Sequence, residues 1–366
     1  MVTSSQKQDK VLKLINRECG KKTPLGTVPN DECYTSMQDI INELSQWSDK
    51  FENKDVICPC DWDIVDDDGD IYSLKIDFDG DDFHGHTNTV KSISCLYFTE
   101  NDVMESKEIP KDKVDEFLSK RIKCNFIRTF VEHAKEWKIK SITASGFNPA
   151  TGKGIRFQEV DFTQYDICVT NPPFSMYGEF INTLLDSKID FIILAPFLNR
   201  VNPCIGLPLM LKKCYLGYGR KIRMNFYNPT AENKFKTKLV AVDWITTFDD
   251  AQKEINKLPL TNGFKYENYK DDFVIMQNIT MKDGTHPIRV ESFRGIPDDY
   301  YGWVFCAIGV LDVLSYDYYE WYITNCKGYY NRENPSYNPF AHRASNEMVS
   351  NPNSKGFHGV ILRRKK

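Results

Sequence analysis

A chain of 366 residues and 42.5 kDa, with 41% hydrophobic and 13% aromatic residues, suffices for one large or two modest domains and is too apolar for wholesale disorder. No run of 18 apolar residues occurs and the first twenty residues lack an apolar stretch, so neither a membrane span nor a secretory signal is expected and a cytoplasmic setting is read. Eleven cysteines without one Cys-x-x-Cys pair exclude zinc fingers and, in such a setting, disulfide scaffolds.

The net charge of −4 hides an uneven distribution. Residues 61–82 hold ten aspartates against Lys75; the rest of the chain carries 46 basic and 41 acidic residues. Between residues 199 and 238 nine cations face Glu232 alone. That segment suits a polyanion, with Arg200, Lys212, Lys213, Arg220, Arg223, Lys236 and Lys238 as candidate phosphate contacts, and Arg363, Arg364, Lys365 and Lys366 form a second basic stretch. An ordinary solvated face is the plain alternative.

In chain order, residues 1–30 read as a polar arm. Met37, Ile40, Ile41, Leu44 and Trp47 recur at helical spacing and predict an amphipathic helix over 36–47. A short strand at 56–58 follows. The segment 62–123 reads as an acidic insertion with a strand at 91–98 and a charged helix at 114–122. Helix 126–137, strand 140–144, strand 156–160, strand 166–170, helix 178–186 and strand 190–195 then alternate, and a helix is expected at 207–214. Short apolar strands between helices predict an α/β fold with a parallel sheet covered on both faces. Further strands are expected at 238–248 and 272–278 and a helix at 310–317, within a less regular C-terminal region. The expected organisation is an arm (1–30), a core (31–61 with 124–198), the insertion, and a 199–366 part holding the remaining core strands and a recognition region.

The string that carries chemistry is Asn171-Pro172-Pro173-Phe174, directly after the apolar strand Ile167-Cys168-Val169 and before a helix. Ligands of open parallel sheets bind at carboxyl ends of strands. Two prolines keep the backbone extended and remove two N–H donors, which leaves carbonyls outside the ladder. The Asn171 side-chain oxygen and the Pro172 carbonyl can each accept one N–H of an aromatic amine, turning its lone pair toward an electrophilic methyl group. Phe174 supplies a stacking face for a base rotated out of a duplex. No metal is required. Asp81, Asp82, His84 and His86 are candidate ligands, but histidines two apart in a Gly/Asp loop read as solvated and the calcium-loop spacing fails, so no metal is expected.

On this string the chain resembles the EcoRI-type adenine-specific DNA modification methyltransferases. The likeness extends in order through Asp31–Thr35, Val56–Asp61, Cys124–Phe126, Trp244–Phe248, Tyr266–Tyr269, Ile296–Gly302 and Val360–Lys365. The resemblance implies a Rossmann-like S-adenosylmethionine-dependent methyltransferase sheet, with the irregular C-terminal part as target-recognition region. It also implies S-adenosylmethionine as methyl donor and methylation of adenine N6 in double-stranded DNA. Carried over by residue, Asn171, Pro172, Pro173 and Phe174 form the target-base site. Tyr34, Thr35, Cys58, Cys60 and Asp61 line the methionine side of the cofactor, and Asp161 with Phe162 its adenine side. The first-strand turn lacks the glycines that usually admit a nucleotide, and Ser145-Gly146 stand where an acidic ribose partner is expected. Two alternatives therefore stay open: an inactive DNA-binding or DNA-mimicking protein on the same fold, and a methyltransferase for RNA or another amino or amide acceptor.

Overall fold

The computed structural model describes residues 35–61, 71–79, 90–98, 104–148, 153–201, 203–227, 237–257, 263–277, 279–281, 283–323, 340–342 and 359–366. These fall into two compact units: the described parts of Lys21–Pro196 and Gly217–Phe248 form one, those of Phe197–Leu216 and Asp249–Lys366 the other.

The first unit is built on a mixed sheet. Its strands are β1 (Asp55–Cys58), β2 (Ile71–Phe78), β3 (Val90–Phe98), β4 (Met104–Glu108), β5 (Ser141–Ser145), β6 (Ile167–Thr170), β7 (Asp190–Pro196), β8 (Ile222–Tyr227) and β9 (Thr237–Thr246). Their spatial order is β8-β9-β7-β6-β1-β5-β2-β3-β4. The four central strands β7, β6, β1 and β5 are parallel; the strands outside them pair antiparallel. The expected all-parallel sheet is thus corrected to a parallel centre with antiparallel flanks. The central strands are short and apolar because they are buried on both faces: Val56–Cys58, Ile142 and Ala144, Ile167–Val169 and Phe191–Ala195 lie in the core. Within 62–123, the described strands β2, β3 and β4 extend the same sheet, with Leu74 opposite Ala144 and Ile93 opposite Ile76.

Helices α1 (Met37–Leu44), α2 (Val114–Arg121), α3 (Asn125–His133) and α4 (Tyr177–Ser187) complete this unit. On α3, Phe126, Ile127 and Phe130 form one buried stripe. Phe51 joins it, stacked on Trp137 at 5.5 Å and edge-on to Phe130 at 5.5 Å. Two expectations fail locally. Residues 156–160 form no strand; Phe157–Glu159 is a 3₁₀ turn closed by Glu159 Oε2 accepting from Arg156 N at 2.8 Å. The helix from 36 to 47 ends at Leu44 and continues as a 3₁₀ turn to Lys50.

The second unit holds α5 (Pro203–Met210), α6 (Asp250–Asn256) and a five-stranded sheet: β10 (Val274–Ile275), β11 (Ile288–Val290), β12 (Val304–Ala307), β13 (Tyr319–Ile323) and β14 (Gly359–Arg364), in the order β10-β11-β12-β14-β13. The strand expected over 272–278 shrinks to Val274–Ile275, and the helix expected over 310–317 is a 3₁₀ segment, Ile308–Asp312. The basic end of the chain is engaged within this unit. Arg363 pairs with Glu320 and lies 4.2 Å over the Trp303 ring, Arg364 donates to Asp298 O, and Lys365 Nζ donates to Tyr316 O at 2.8 Å. These four contacts tie the basic residues to groups of their own unit.

Candidate active site

From β1 the chain runs through β2, β3 and β4 to β5, all on one side of β1, then crosses to β6 on the other side. The strand order therefore reverses between β1 and β6, where an open α/β sheet has its ligand crevice at the carboxyl ends. β1 ends at Cys58 and is followed by Pro59-Cys60-Asp61; β6 ends at Thr170 and is followed by Asn171-Pro172-Pro173-Phe174. Both segments singled out in the sequence thus lie at the topological switch point.

Hydrogen bonds knit the segments together. Asp61 Oδ2 accepts from the Thr170 hydroxyl and from Asn171 N at 3.3 Å. The Cys124 thiol, at the head of α3, also bonds this carboxylate. Next to it, Asn125 Nδ2 donates to Thr35 O at 2.7 Å. Four stretches of the chain meet here, with 110 residues between Asp61 and Asn171. Burial pushes the Asp61 carboxyl up to about 7 even though the Thr170, Asn171 and Cys124 donors pull it down. Burial also pushes the Cys58 and Cys168 thiols well up, which makes them neutral core groups rather than nucleophiles.

At the end of β6 the Asn171 Oδ1 is buried. The Pro173 carbonyl accepts from Met176 N at 3.0 Å and starts the turn Phe174–Met176 that feeds α4; no backbone N–H of the described residues takes the Pro172 carbonyl. Phe174 is half-buried. Cys58 is buried in β1, whereas Cys60 lies past the strand end and is half-buried. Asp161 does not end a strand. It is exposed and caps the 3₁₀ turn Phe162–Gln164, accepting from Thr163 N at 3.1 Å, Thr163 Oγ1 at 2.6 Å and Gln164 Nε2 at 3.0 Å, and these bonds hold its carboxyl below the ordinary value. A carboxylate has about four acceptor positions, so one remains for a ligand amine. Phe162 is a core residue. Tyr34 and Lys236 lie outside the described residues, as do Asp81, Asp82, His84 and His86. Among the described residues no group of three or more His, Cys, Asp or Glu is arranged to hold a metal.

Local pattern did not single out Thr170, Cys124 and Asn125 as site residues, although each adjoins a residue or segment that was. Hydroxyl groups fit the missing glycines and acid only in part: Thr35 Oγ1 and Ser145 Oγ, the latter at the end of β5, are buried and take no hydrogen bond among the described residues.

The family described as adenine-specific methyltransferase EcoRI matches residues 26–365. The chain belongs to that family. The type II methyltransferase M.EcoRI of Escherichia coli is 26% identical over 167 residues, 45% of this chain and 45% of that protein, so the match spans less than half its length. The type II methyltransferase M.MgeORF184P of Mycoplasma genitalium is 24% identical over 262 residues, 60% of this chain and 79% of that protein. No solved structure matches. The family match runs through the Asp61–Asn171 site and both units, and the large mixed α/β sheet fits a methyltransferase-like fold.

Arg200 is a correction. It was expected to contact phosphate, but its side chain is fully buried in the second unit, where Nη1 donates to Asp312 Oδ1 at 2.6 Å and the guanidinium lies 4.6 Å from the Phe197 ring. A guanidinium so enclosed holds Asp312 instead. Arg200→Ala is expected to cost about 3 kcal/mol, because it opens a cavity and strands Asp312. Urea unfolding of the two proteins checks this, and an unchanged midpoint counts against the pair. Arg223 and Lys212 are exposed, and Lys213 and Arg220 half-buried; Lys238 sits on β9 opposite Phe226 of β8.

Proposed function

We propose that this protein transfers a methyl group from S-adenosylmethionine to the N6 of an adenine flipped out of double-stranded DNA, on a Rossmann-like methyltransferase sheet. The observation that carries the reading is the meeting of Asp61 with Thr170 and Asn171 at the switch point, which sets the Asn-Pro-Pro-Phe string where a bound cofactor and a base can both arrive.

The cofactor would supply a sulfonium methyl group, whose transfer frees a neutral thioether, and the methylated amine sheds one proton to water. The chain's own part is to hold and shield. Asn171 Oδ1 and the Pro172 carbonyl accept the two N–H groups of the adenine amine and direct its lone pair out of the ring plane. Phe174 stacks on the base that has left the duplex, so part of the unstacking energy is recovered. Thr35, Cys58, Cys60 and Asp61 lie on the methionine side with Tyr34, and Ser145, Asp161 and Phe162 on the adenosine side. Lys212, Lys213, Arg220, Arg223, Lys236 and Lys238 contact DNA phosphates. The proposed partner is duplex DNA, without a membrane or a metal, in the cytoplasm.

Expression in a host lacking DNA methylation, followed by sequencing that detects N6-methyladenine, tests the reading and reveals the target site. Unmodified DNA together with no heat of S-adenosylmethionine binding would favour an inactive binding protein. The phosphate contacts have their own test. Replacing Lys236 and Lys238 by Glu should weaken DNA binding and reduce the salt slope by about 2, one for each lost phosphate contact. An unchanged slope moves the DNA path elsewhere.

A further inference from the structure

Asp61 follows β1, yet its carboxylate is turned to the neighbouring strand, where Oδ2 accepts from the Thr170 hydroxyl and the Asn171 N–H. The ladder between β6 and β7 ends at Thr170 opposite Ile193, and Pro172 and Pro173 bring no N–H. The backbone of the Asn-Pro-Pro-Phe string therefore starts where sheet pairing stops, and a side-chain acceptor from the segment after β1 takes over.

We infer that Asp61 is a positioning residue for the acceptor: its ionised carboxylate ties the Thr170–Asn171 peptide to the end of β1, so that the Asn171 amide and the Pro172 carbonyl keep one geometry, and protonation loosens that tie. The inference rests on the proposed methyl transfer for the reaction it serves, whereas the tie itself does not. It also changes the part assigned to Asp61, from lining the cofactor to holding the residues that hold the base.

The chemistry of the surroundings agrees. Thr170, Asn171 and Cys124 all donate to it, so they favour the ionised acid, while burial opposes it and leaves the carboxyl at about 7. The titratable groups that face it are thiols: Cys58 from its own strand, Cys168 from β6, Cys124 from the head of α3, and the adjoining Cys60. The site therefore passes from a firm to a slack tie over the neutral range.

Amide hydrogen exchange on the whole protein reads the tie directly. The amide that reports it is Asn171 N–H, bonded to Asp61 and followed by two prolines that have no N–H, and residue-resolved exchange by NMR reads it. Protection corrected for intrinsic rate should rise several-fold as pH is raised through about 7, and it should be low and flat in Asp61→Asn and reduced in Thr170→Val. Single-turnover methylation should fall about tenfold per pH unit below that midpoint in wild type, and this limb should vanish in Asp61→Asn, with S-adenosylmethionine affinity within about threefold of wild type. Protection that ignores pH and is unchanged in Thr170→Val overturns the inference. So does an Asp61→Asn protein that keeps the wild-type rate at saturation and loses only cofactor affinity. If Asp61→Asn does not fold, the wild-type pH series and Thr170→Val decide. A wild type that methylates no DNA overturns the proposed function instead, and the exchange measurement then judges the tie alone.

Discussion

Asn171→Ala is expected to slow single-turnover methyl transfer by at least about two orders of magnitude, close to 2.7 kcal/mol of lost transition-state stabilisation. In the proposed reaction the amine nitrogen gains positive charge as it takes the methyl group, and its N–H groups become stronger donors. An acceptor fixed beforehand then contributes more to the transition state than to the bound base. The loss should appear in the rate at saturating DNA and cofactor rather than in cofactor affinity. The fold should survive, because the backbone N–H of residue 171 still reaches Asp61 and Thr170 keeps its hydroxyl. Asn171→Asp, which retains acceptors at the same place, should recover part of the rate. A turnover near wild type in Asn171→Ala, measured by N6-methyladenine formed per enzyme, would remove the amide from the reaction.

The parts of this architecture that were legible in the sequence are those with a strong local period. The stripe of Phe126, Ile127 and Phe130 marks α3, and the unbroken run from Phe191 to Ala195 marks a strand buried on both sides. The Asn-Pro-Pro-Phe string was legible because proline has an unmistakable effect on ladder bonds. Sheet pairing was not, since β2, β3 and β9 alternate well enough to be strands but nothing in their residues states that they run antiparallel to the centre. The turn at Phe157–Glu159 was misread for a related reason: its apolar residues at 155 and 157 alternate like a strand, whereas Glu159 reaching back to the Arg156 N–H closes a turn instead. Charge was the least legible quantity. Arg200 and Arg223 look alike in sequence, yet one is enclosed with Asp312 and the other exposed. The partner of Asp61 could not be foreseen at all, because 109 residues separate it from Thr170 and only the crossover over β1 brings them together.

Glu43→Ala is expected to give the largest loss of stability, at least about 3 kcal/mol, from leaving three donors, one buried and two part-buried, without an acceptor at about 1 kcal/mol or more each. Glu43 projects from α1 with almost no exposure. Its Oε1 accepts from Trp47 Nε1 at 2.9 Å and Tyr218 N at 3.0 Å, and its Oε2 from Gly219 N at 2.6 Å. The carboxylate thus joins α1, just after the Thr35 segment, to the turn that precedes β8. That turn has been shaped around it: a Cβ on Gly217 would lie 2.3 Å from Glu43 Oε1 and 2.9 Å from the Trp244 Cβ. Glu43→Gln keeps one acceptor oxygen and should lose less. The pH dependence has a definite sign. Burial raises the Glu43 carboxyl above its usual 4.5 despite the three donors, so the folded chain keeps this proton more tightly than the unfolded one. Wild-type stability from this group is therefore greatest in acid and declines as pH rises from 4.5 through the raised value, while Gln titrates nothing. The gap between wild type and Glu43→Gln should narrow over that window in urea melts, and a gap that widens would place the charge of Glu43 in a different environment from the one its three donors define.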